Sequence, residues 1–122
     1  MDDSDIGKIE KIIEDRKMAH SFFGKRSKTY RAFDEVERSA FRDGRLTKMQ
    51  KELIATSISV VINCESCMEF HISEALRVGA TPEDVIEAID VAIEMGGGPA
   101  TVAARFAAKV LKYREEKKEM GE

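Results

Sequence analysis

One run of residues decides what this chain can fold into. Leu53 to Ile62 carries no charge, and its Ile58, Val60, Val61 and Ile62 suit a buried strand as well as a helix. Read as a strand, the run leads into two cysteines separated by two residues, Cys64 and Cys67, which is the order of a thioredoxin-like unit. Read as a helix, it has a marked start. Thr47 and Gln50 stand at capping-box spacing, where the threonine accepts from a free backbone amide and the glutamine bonds back to the cap. That start lies well upstream, so the helix is long. Nothing else in the chain reads as a second or third strand, and a lone strand has nothing to pair with. The run is therefore predicted as the central helix of an all-helical domain, hydrophobic on most sides and so buried.

The flanking segments repeat at helical intervals. Ile6, Ile9, Ile12 and Ile13 form an apolar stripe that continues towards His20, Phe22 and Phe23 and stops at Gly24. Lys25 to Lys28 reads as a loop, too short a basic run to suggest nucleic acid. Tyr30, Phe33, Val36, Ala40 and Phe41 mark a second helix, ended by Asp43 and Gly44. Asn63 is predicted to cap the next helix, with Cys64 in its first turn and Gly79 beyond its end. Thr81, Pro82, Glu83 and Asp84 restart the chain as a helix that should bury Val85, Ile86, Ile89, Val91, Ala92 and Ile93. It stops at Gly96-Gly97-Gly98, a run of glycines suited to close helix packing. Pro99 opens the last helix, whose apolar face is Val102, Ala103, Phe106, Ala107, Val110 and Leu111. The charged tail from Arg114 to Glu122 is expected to fray. No linker or repeat divides the chain, so residues 1–122 read as a single bundle of about six helices.

Charge narrows the function. Charged residues are 35% of the chain, yet they nearly cancel to a net −3, so no one-sided basic field exists for nucleic acid or a membrane surface. No apolar run approaches the roughly 20 residues of a membrane span. The N-terminus is acidic and lacks the basic and apolar regions of a secretory signal, which makes the cytoplasm the expected location. There, two closely spaced cysteines are redox-active or metal-binding rather than a staple, since so small a loop constrains the unfolded chain little.

The chemistry concentrates in Asn63 to His71, which holds both cysteines and one of the two histidines. On a helix, Cys64 and Cys67 are three apart and Cys67 and His71 four apart, so all three share a face. A thiolate is the nucleophile of thiol chemistry, and a nearby imidazole can hold or take its proton. The helix start acts most strongly on Cys64, whereas His71 is placed to act on Cys67. Physics alone does not say which sulfur attacks. A spacing of three also brings the two α-carbons within reach of a disulfide.

Glu52, then Cys64-x-x-Cys67-x-x-x-His71, resembles the alkyl hydroperoxidase D-like branch of the carboxymuconolactone decarboxylase family. Gly79-Ala80-Thr81-Pro82-Glu83 and the Gly96-Gly97-Gly98-Pro99 turn fit it too, and the resemblance spans roughly Leu46 to Ala108. It implies an all-helical subunit that assembles as a homo-oligomer, a trimer or a hexamer, with antioxidant, peroxidase-like activity. In that reading Cys67 attacks a hydroperoxide and becomes a sulfenic acid, Cys64 resolves it as a disulfide, and Glu52 and His71 relay protons. The reductant is a dithiol such as a lipoylated protein, and no cofactor is implied. The chain departs from the pattern at Ser66, where the best-studied branch has a second histidine. A serine hydroxyl can relay through water but cannot hold a proton near neutral pH. Decarboxylase members lack the cysteine pair, which argues against decarboxylation here.

Blander readings stand beside this one. The cysteines could be buried core, or join His71 and His20 around zinc in a non-catalytic helical oligomer. Glu52 alone is an ordinary carboxylate near a helix start, and His71 could be a hydrogen-bonded core histidine. His20 has no partner legible in the sequence and reads as solvent-facing or structural. Met68, Phe70, Ile72 and Leu76 read as core rather than pocket.

Overall fold

A computed structural model describes residues 1–121, and among these the charge-free run is helical. Six helices follow one another: α1 (Asp3–Gly24), α2 (Lys28–Phe41), α3 (Lys48–Val61), α4 (Glu65–Arg77), α5 (Pro82–Gly96) and α6 (Gly98–Glu119). No strand occurs among the described residues, so the thioredoxin-like alternative falls. The helix starts are local chemistry. Asp2 accepts from the Asp5 amide and Ser27 from the Tyr30 amide, while Thr47 with Gln50 and Thr81 with Asp84 close reciprocal capping boxes.

The joint between α3 and α4 differs from expectation in one respect. Asn63 does not cap α4; it sits at φ +54° in the left-handed region and ends α3. The Asn63 amide donates to the Val60 carbonyl at 3.1 Å and the Cys64 amide to the Ser59 carbonyl at 3.0 Å, the bond pair of a Schellman turn. Asparagine tolerates this backbone better than most side-chain-bearing residues. The cap of α4 is Cys64 itself, one position later than predicted, and its Sγ accepts from the Cys67 amide. The same turn recurs after α4, with Gly79 at φ +112° and the Ala80 amide donating to the Ala75 carbonyl.

Helices α3 to α6 pack together, α1 lies across α4 and α6, and α2 touches α1 and α3. Ile9, Val60, Met68, Ile72, Val85 and Val110 are fully buried in the common core. Each such side chain contributes about 1.5–3 kcal/mol relative to exposure. At the α5–α6 corner a Cβ on Gly96 would lie 2.8 Å from that of Ala100, which bears out the close packing expected of the glycines. The C-terminal segment does not fray from Arg114. α6 runs to Glu119, because Tyr113 donates to Glu10, Arg114 reaches Glu69, and Glu116 holds the N-terminal amine at 3.0 Å.

The largest departure concerns what faces outward. α3 is not buried on most sides: Ile54, Ile58, Val61 and Ile62 are exposed, while Glu52, Thr56, Ser59 and Val60 are buried. The buried hydroxyls are satisfied inside their own helix, Thr56 donating to the Glu52 carbonyl and Ser59 to that of Ala55. Ile86 and Val91 on α5 and Val102 on α6 are exposed as well, and α2 buries no residue at all, its Phe33 and Val36 facing outward. No other part of the described chain covers this apolar surface. Between α3 and α5 the surplus forms a groove of about 500 Å³ that includes Ile54, Ile58 and Val91.

Candidate functional site

The turn that ends α3 aims the chain into α4 with both sulfurs at its first turn. Cys64 and Cys67 are joined as a disulfide, with α-carbons 5.2 Å apart. The Cys67 amide donates to Cys64 Sγ at 3.2 Å, so the cap of the helix is a sulfur atom. This is where unpaired amides concentrate partial positive charge, which favours a thiolate once the bond is reduced.

One turn further along α4, His71 meets Glu52 of α3. The His71 Nδ1–H donates to Glu52 Oε1 at 2.7 Å, an arrangement that leaves Nε2 free. Glu52 is only 1% exposed, and Lys48 Nζ, one turn before it, donates to its other oxygen at 2.9 Å. A buried carboxylate held between an ammonium and an imidazole is compensated on both oxygens. The Phe41 ring stacks on the imidazole at 5.2 Å and 20° and restrains its plane. Nearby, hydrogen bonds from Arg77 hold the Glu74 carboxyl below the usual carboxylate range against the opposing effect of partial burial, which adds an anion 3.9 Å from Lys48.

A cleft of about 570 Å³ opens beside this pair. Cys67, Phe70 and His71 of α4 form one wall, and α1 and α2 form the other. Of the two cysteines, Cys67 lines the cleft. Phe70, read as core, is part of this wall, whereas Met68 and Ile72 are buried as expected.

A second buried carboxylate locks the cleft's edge. Glu69, 1% exposed, meets Arg16 of α1 at 2.6 Å, Arg114 of α6 at 3.1 Å and the Ser73 hydroxyl at 2.9 Å. Arg16 also donates to the Ser66 carbonyl at 3.0 Å and the Ser66 hydroxyl at 3.3 Å, and lies over the Phe70 ring. One guanidinium thus ties α1 to the turn between the cysteines.

The structure joins the four residues singled out from sequence as two pairs, Cys64 with Cys67 covalently and His71 with Glu52 by a hydrogen bond, and Cys67 and His71 line one cleft. The zinc arrangement is not assembled, since no group of three or more metal-binding side chains gathers among the described residues. His20 is solvent-facing, as expected, and has neighbours that the sequence did not reveal: Asp34 at 3.7 Å and the Tyr30 hydroxyl at 3.5 Å. Lys48 was open to discovery in the sequence, because it precedes Glu52 by four, the spacing of a helical ion pair. Arg16 left no such signal, since its partners lie about fifty residues away.

Residues 27–110 match the sequence pattern of the carboxymuconolactone decarboxylase family. The chain belongs to that family. Two bacterial relatives, both called uncharacterised, align with about two thirds of the chain. One from Cupriavidus necator is 45% identical over 82 residues, 67% of this chain and 70% of its own. The other, a protein of the cox locus in Paracoccus denitrificans, is 44% identical over 80 residues, 66% of this chain and 72% of its own. Solved structures of the family superpose closely. A carboxymuconolactone decarboxylase family protein from Legionella pneumophila, crystallised in its apo form, gives a TM-score of 0.78 at 32% identity, covering 89% of this chain and 96% of that one. One from Thermotoga maritima, suggested to be involved in antioxidative response, gives 0.84 at 26% identity over 91% and 95%. The all-helical family fold expected from the motif is the fold observed.

Proposed function

We propose that this protein is a thiol-dependent, peroxidase-like oxidoreductase that reduces hydroperoxides through Cys67 and Cys64. The observation that carries this reading is the placement of Cys67 on the cleft wall beside a histidine anchored by a buried glutamate. His71 accepts the Cys67 proton, and Glu52 holds the imidazole in the tautomer whose Nε2 is free to do so. The Cys67 thiolate then attacks the terminal oxygen of a hydroperoxide. An S–O bond forms, the O–O bond breaks, and the alkoxide leaves and takes up a proton. Cys64, 5.2 Å away between α-carbons, attacks the resulting sulfenic acid, forming the disulfide and releasing water. A dithiol donor, such as a lipoylated protein, returns two electrons and is itself oxidised to a disulfide.

This cycle needs a reducing compartment, which makes the cytoplasm the location that fits it. No helix among the described residues is long and apolar enough to cross a membrane. The exposed apolar groove between α3 and α5 fits a second copy of the chain, in keeping with a trimer or hexamer.

The test begins with fully reduced protein and limiting hydroperoxide. Cys64→Ser should stop at a Cys67 sulfenic acid that dimedone traps, and Cys67→Ser should consume no peroxide. Unchanged turnover in Cys67→Ser would overturn the assignment of the nucleophile.

A further inference from the structure

Peroxide cleavage requires two proton movements, one off the thiol and one onto the departing oxygen. Displacement at oxygen runs in line, so the leaving alkoxide emerges on the side of the attacked atom away from sulfur. Cys67 and His71 lie on the same helix, four residues apart, and form the α4 wall. An in-line path from Cys67 therefore carries the leaving oxygen away from His71 and towards the wall built by α1 and α2. The position between the cysteines offers no help. The Ser66 hydroxyl is too weak an acid to give up its proton near neutral pH, and its oxygen already accepts from Arg16.

The α1–α2 wall carries a titratable pair of its own. His20 of α1, Asp34 and Tyr30 of α2 all line the same cleft as Cys67. Asp34 Oδ2 lies 3.7 Å from His20 Nδ1 and the Tyr30 hydroxyl 3.5 Å from the same nitrogen, with the rings of Tyr30 and His20 in tilted contact at 5.8 Å. Both partners address Nδ1. Nε2 has no protein partner among the described residues, and the His20 side chain is 62% exposed, so this nitrogen is available to a molecule in the cleft. A histidine whose one nitrogen faces a carboxylate while the other is free is the arrangement of a general acid.

Resting on the peroxidase reading above, we infer that His20, oriented by Asp34, is a second catalytic residue, the acid that protonates the alkoxide leaving group. As the Cys67–oxygen bond forms and the O–O bond breaks, the His20 Nε2 proton passes to the departing oxygen and the alcohol is released. His20 regains a proton from solvent, to which it is open. The net reaction is unchanged: thiolate, hydroperoxide and one proton give sulfenic acid and alcohol. Asp34 acts through His20 and is a positioning residue. The pair lies outside the cysteine motif, on α1 and α2, which is why motif spacing did not point to it.

The test is a leaving-group series in the Cys64→Ser background, where Cys67 is the sole thiol and single-turnover oxidation can be timed. A serine at the cap position keeps the helix start, being itself a preferred cap. His20→Gln should slow oxidation by tert-butyl hydroperoxide, whose alkoxide is strongly basic, by about 100-fold, the low end of general acid catalysis. Oxidation by a peracid, whose carboxylate leaves without a proton, should change less than about threefold. Asp34→Asn should show the same selectivity at smaller size. Alkylation of Cys67 by iodoacetamide, which expels iodide, should be unchanged, whereas a merely structural role would slow it together with both oxidations. Equal slowing across the series, or no slowing with tert-butyl hydroperoxide, overturns the assignment of His20 while leaving the Cys67 chemistry standing. Failure of the His20-containing protein to oxidise Cys67 with any peroxide overturns the peroxidase reading and this inference with it.

Discussion

Replacing Glu69 by glutamine should destabilise the fold markedly, although the change alters one atom. The carboxylate is 1% exposed; its Oε2 accepts from Arg114 and Ser73, while its Oε1 forms an ion pair with Arg16 without a hydrogen bond. Charge-assisted hydrogen bonds contribute about 1.5–3 kcal/mol each, so the two set a gross gain of about 3–6 kcal/mol, to which the Arg16 ion pair adds. Desolvating the ions offsets several kcal/mol of that, leaving the network close to neutral against a well-packed apolar substitute. Removing only the negative charge is different, because it leaves two guanidinium groups facing a neutral amide. Breaking a buried pair in this way costs about 3–5 kcal/mol. Here the cost falls towards about 3 kcal/mol, because Arg16 and Arg114 remain 29% and 33% exposed and can recover water. For a chain of this size that is a fall in Tm of about 12 °C. Urea unfolding at fixed protein concentration and fixed redox state measures it. Changing Glu69, Arg16 and Arg114 together to methionine should restore stability to within about 1 kcal/mol of the original. A Glu69→Gln loss below about 0.5 kcal/mol, or a triple variant worse than the single, would refute the argument that charge imbalance rather than packing governs this site.

Two further outcomes follow from local features. Burial and its bond to Glu10 push the Tyr113 phenol up from 10.0 to about 12. Since the folded value exceeds the unfolded one, the associated stability is fully present below pH 10 and lost as pH rises through 12; of order 1–2 kcal/mol should disappear over that window in the original chain and not in Tyr113→Phe, as read by denaturation at each pH. Gly97 sits at φ +67° and ψ −149°, a region open essentially to glycine alone, and a Cβ there would meet no neighbour within 4 Å. Gly97→Ala should therefore cost about 1–3 kcal/mol from backbone strain alone, with Gly98→Ala close to neutral in the same thermal melt.

Much of the architecture was legible because its signals are local. Thr47 with Gln50 and Thr81 with Asp84 announce helix starts within four residues, and the structure closes both boxes. Helical spacing likewise placed His71 one turn beyond Cys67. What periodicity could not supply was the direction in which a stripe points. Phe33, Val36, Ile54 and Ile58 obey the pattern of buried faces and yet lie outside, because a stripe records that a face is apolar and not which chain covers it. The inverse error applies to Glu52 and Glu69, polar by type and buried in fact, since their compensating partners come from elsewhere on the helix or from other helices. Asn63 misled for a simpler reason. It is a good helix cap and also a good left-handed residue, and the six-residue turn that needed the second property ends at Cys64.

The placement of α1 has a consequence for how this protein could be retuned. The stretch shared with the family, residues 27–110, begins after α1 ends at Gly24, and it contains both cysteines, Glu52 and His71. Yet α1 supplies Arg16, Lys17, His20 and Ser21 to the cleft. The cysteine pair with its Glu52–His71 neighbours and part of the cleft wall are therefore written in separate segments of the chain, joined where Arg16 grips Ser66 and Glu69 and where Lys8 meets Glu65. A helix of this kind works like an interchangeable faceplate. Lys17 and Ser21 can be rewritten to reshape the cleft without moving a sulfur, provided that Arg16 and His20 stay.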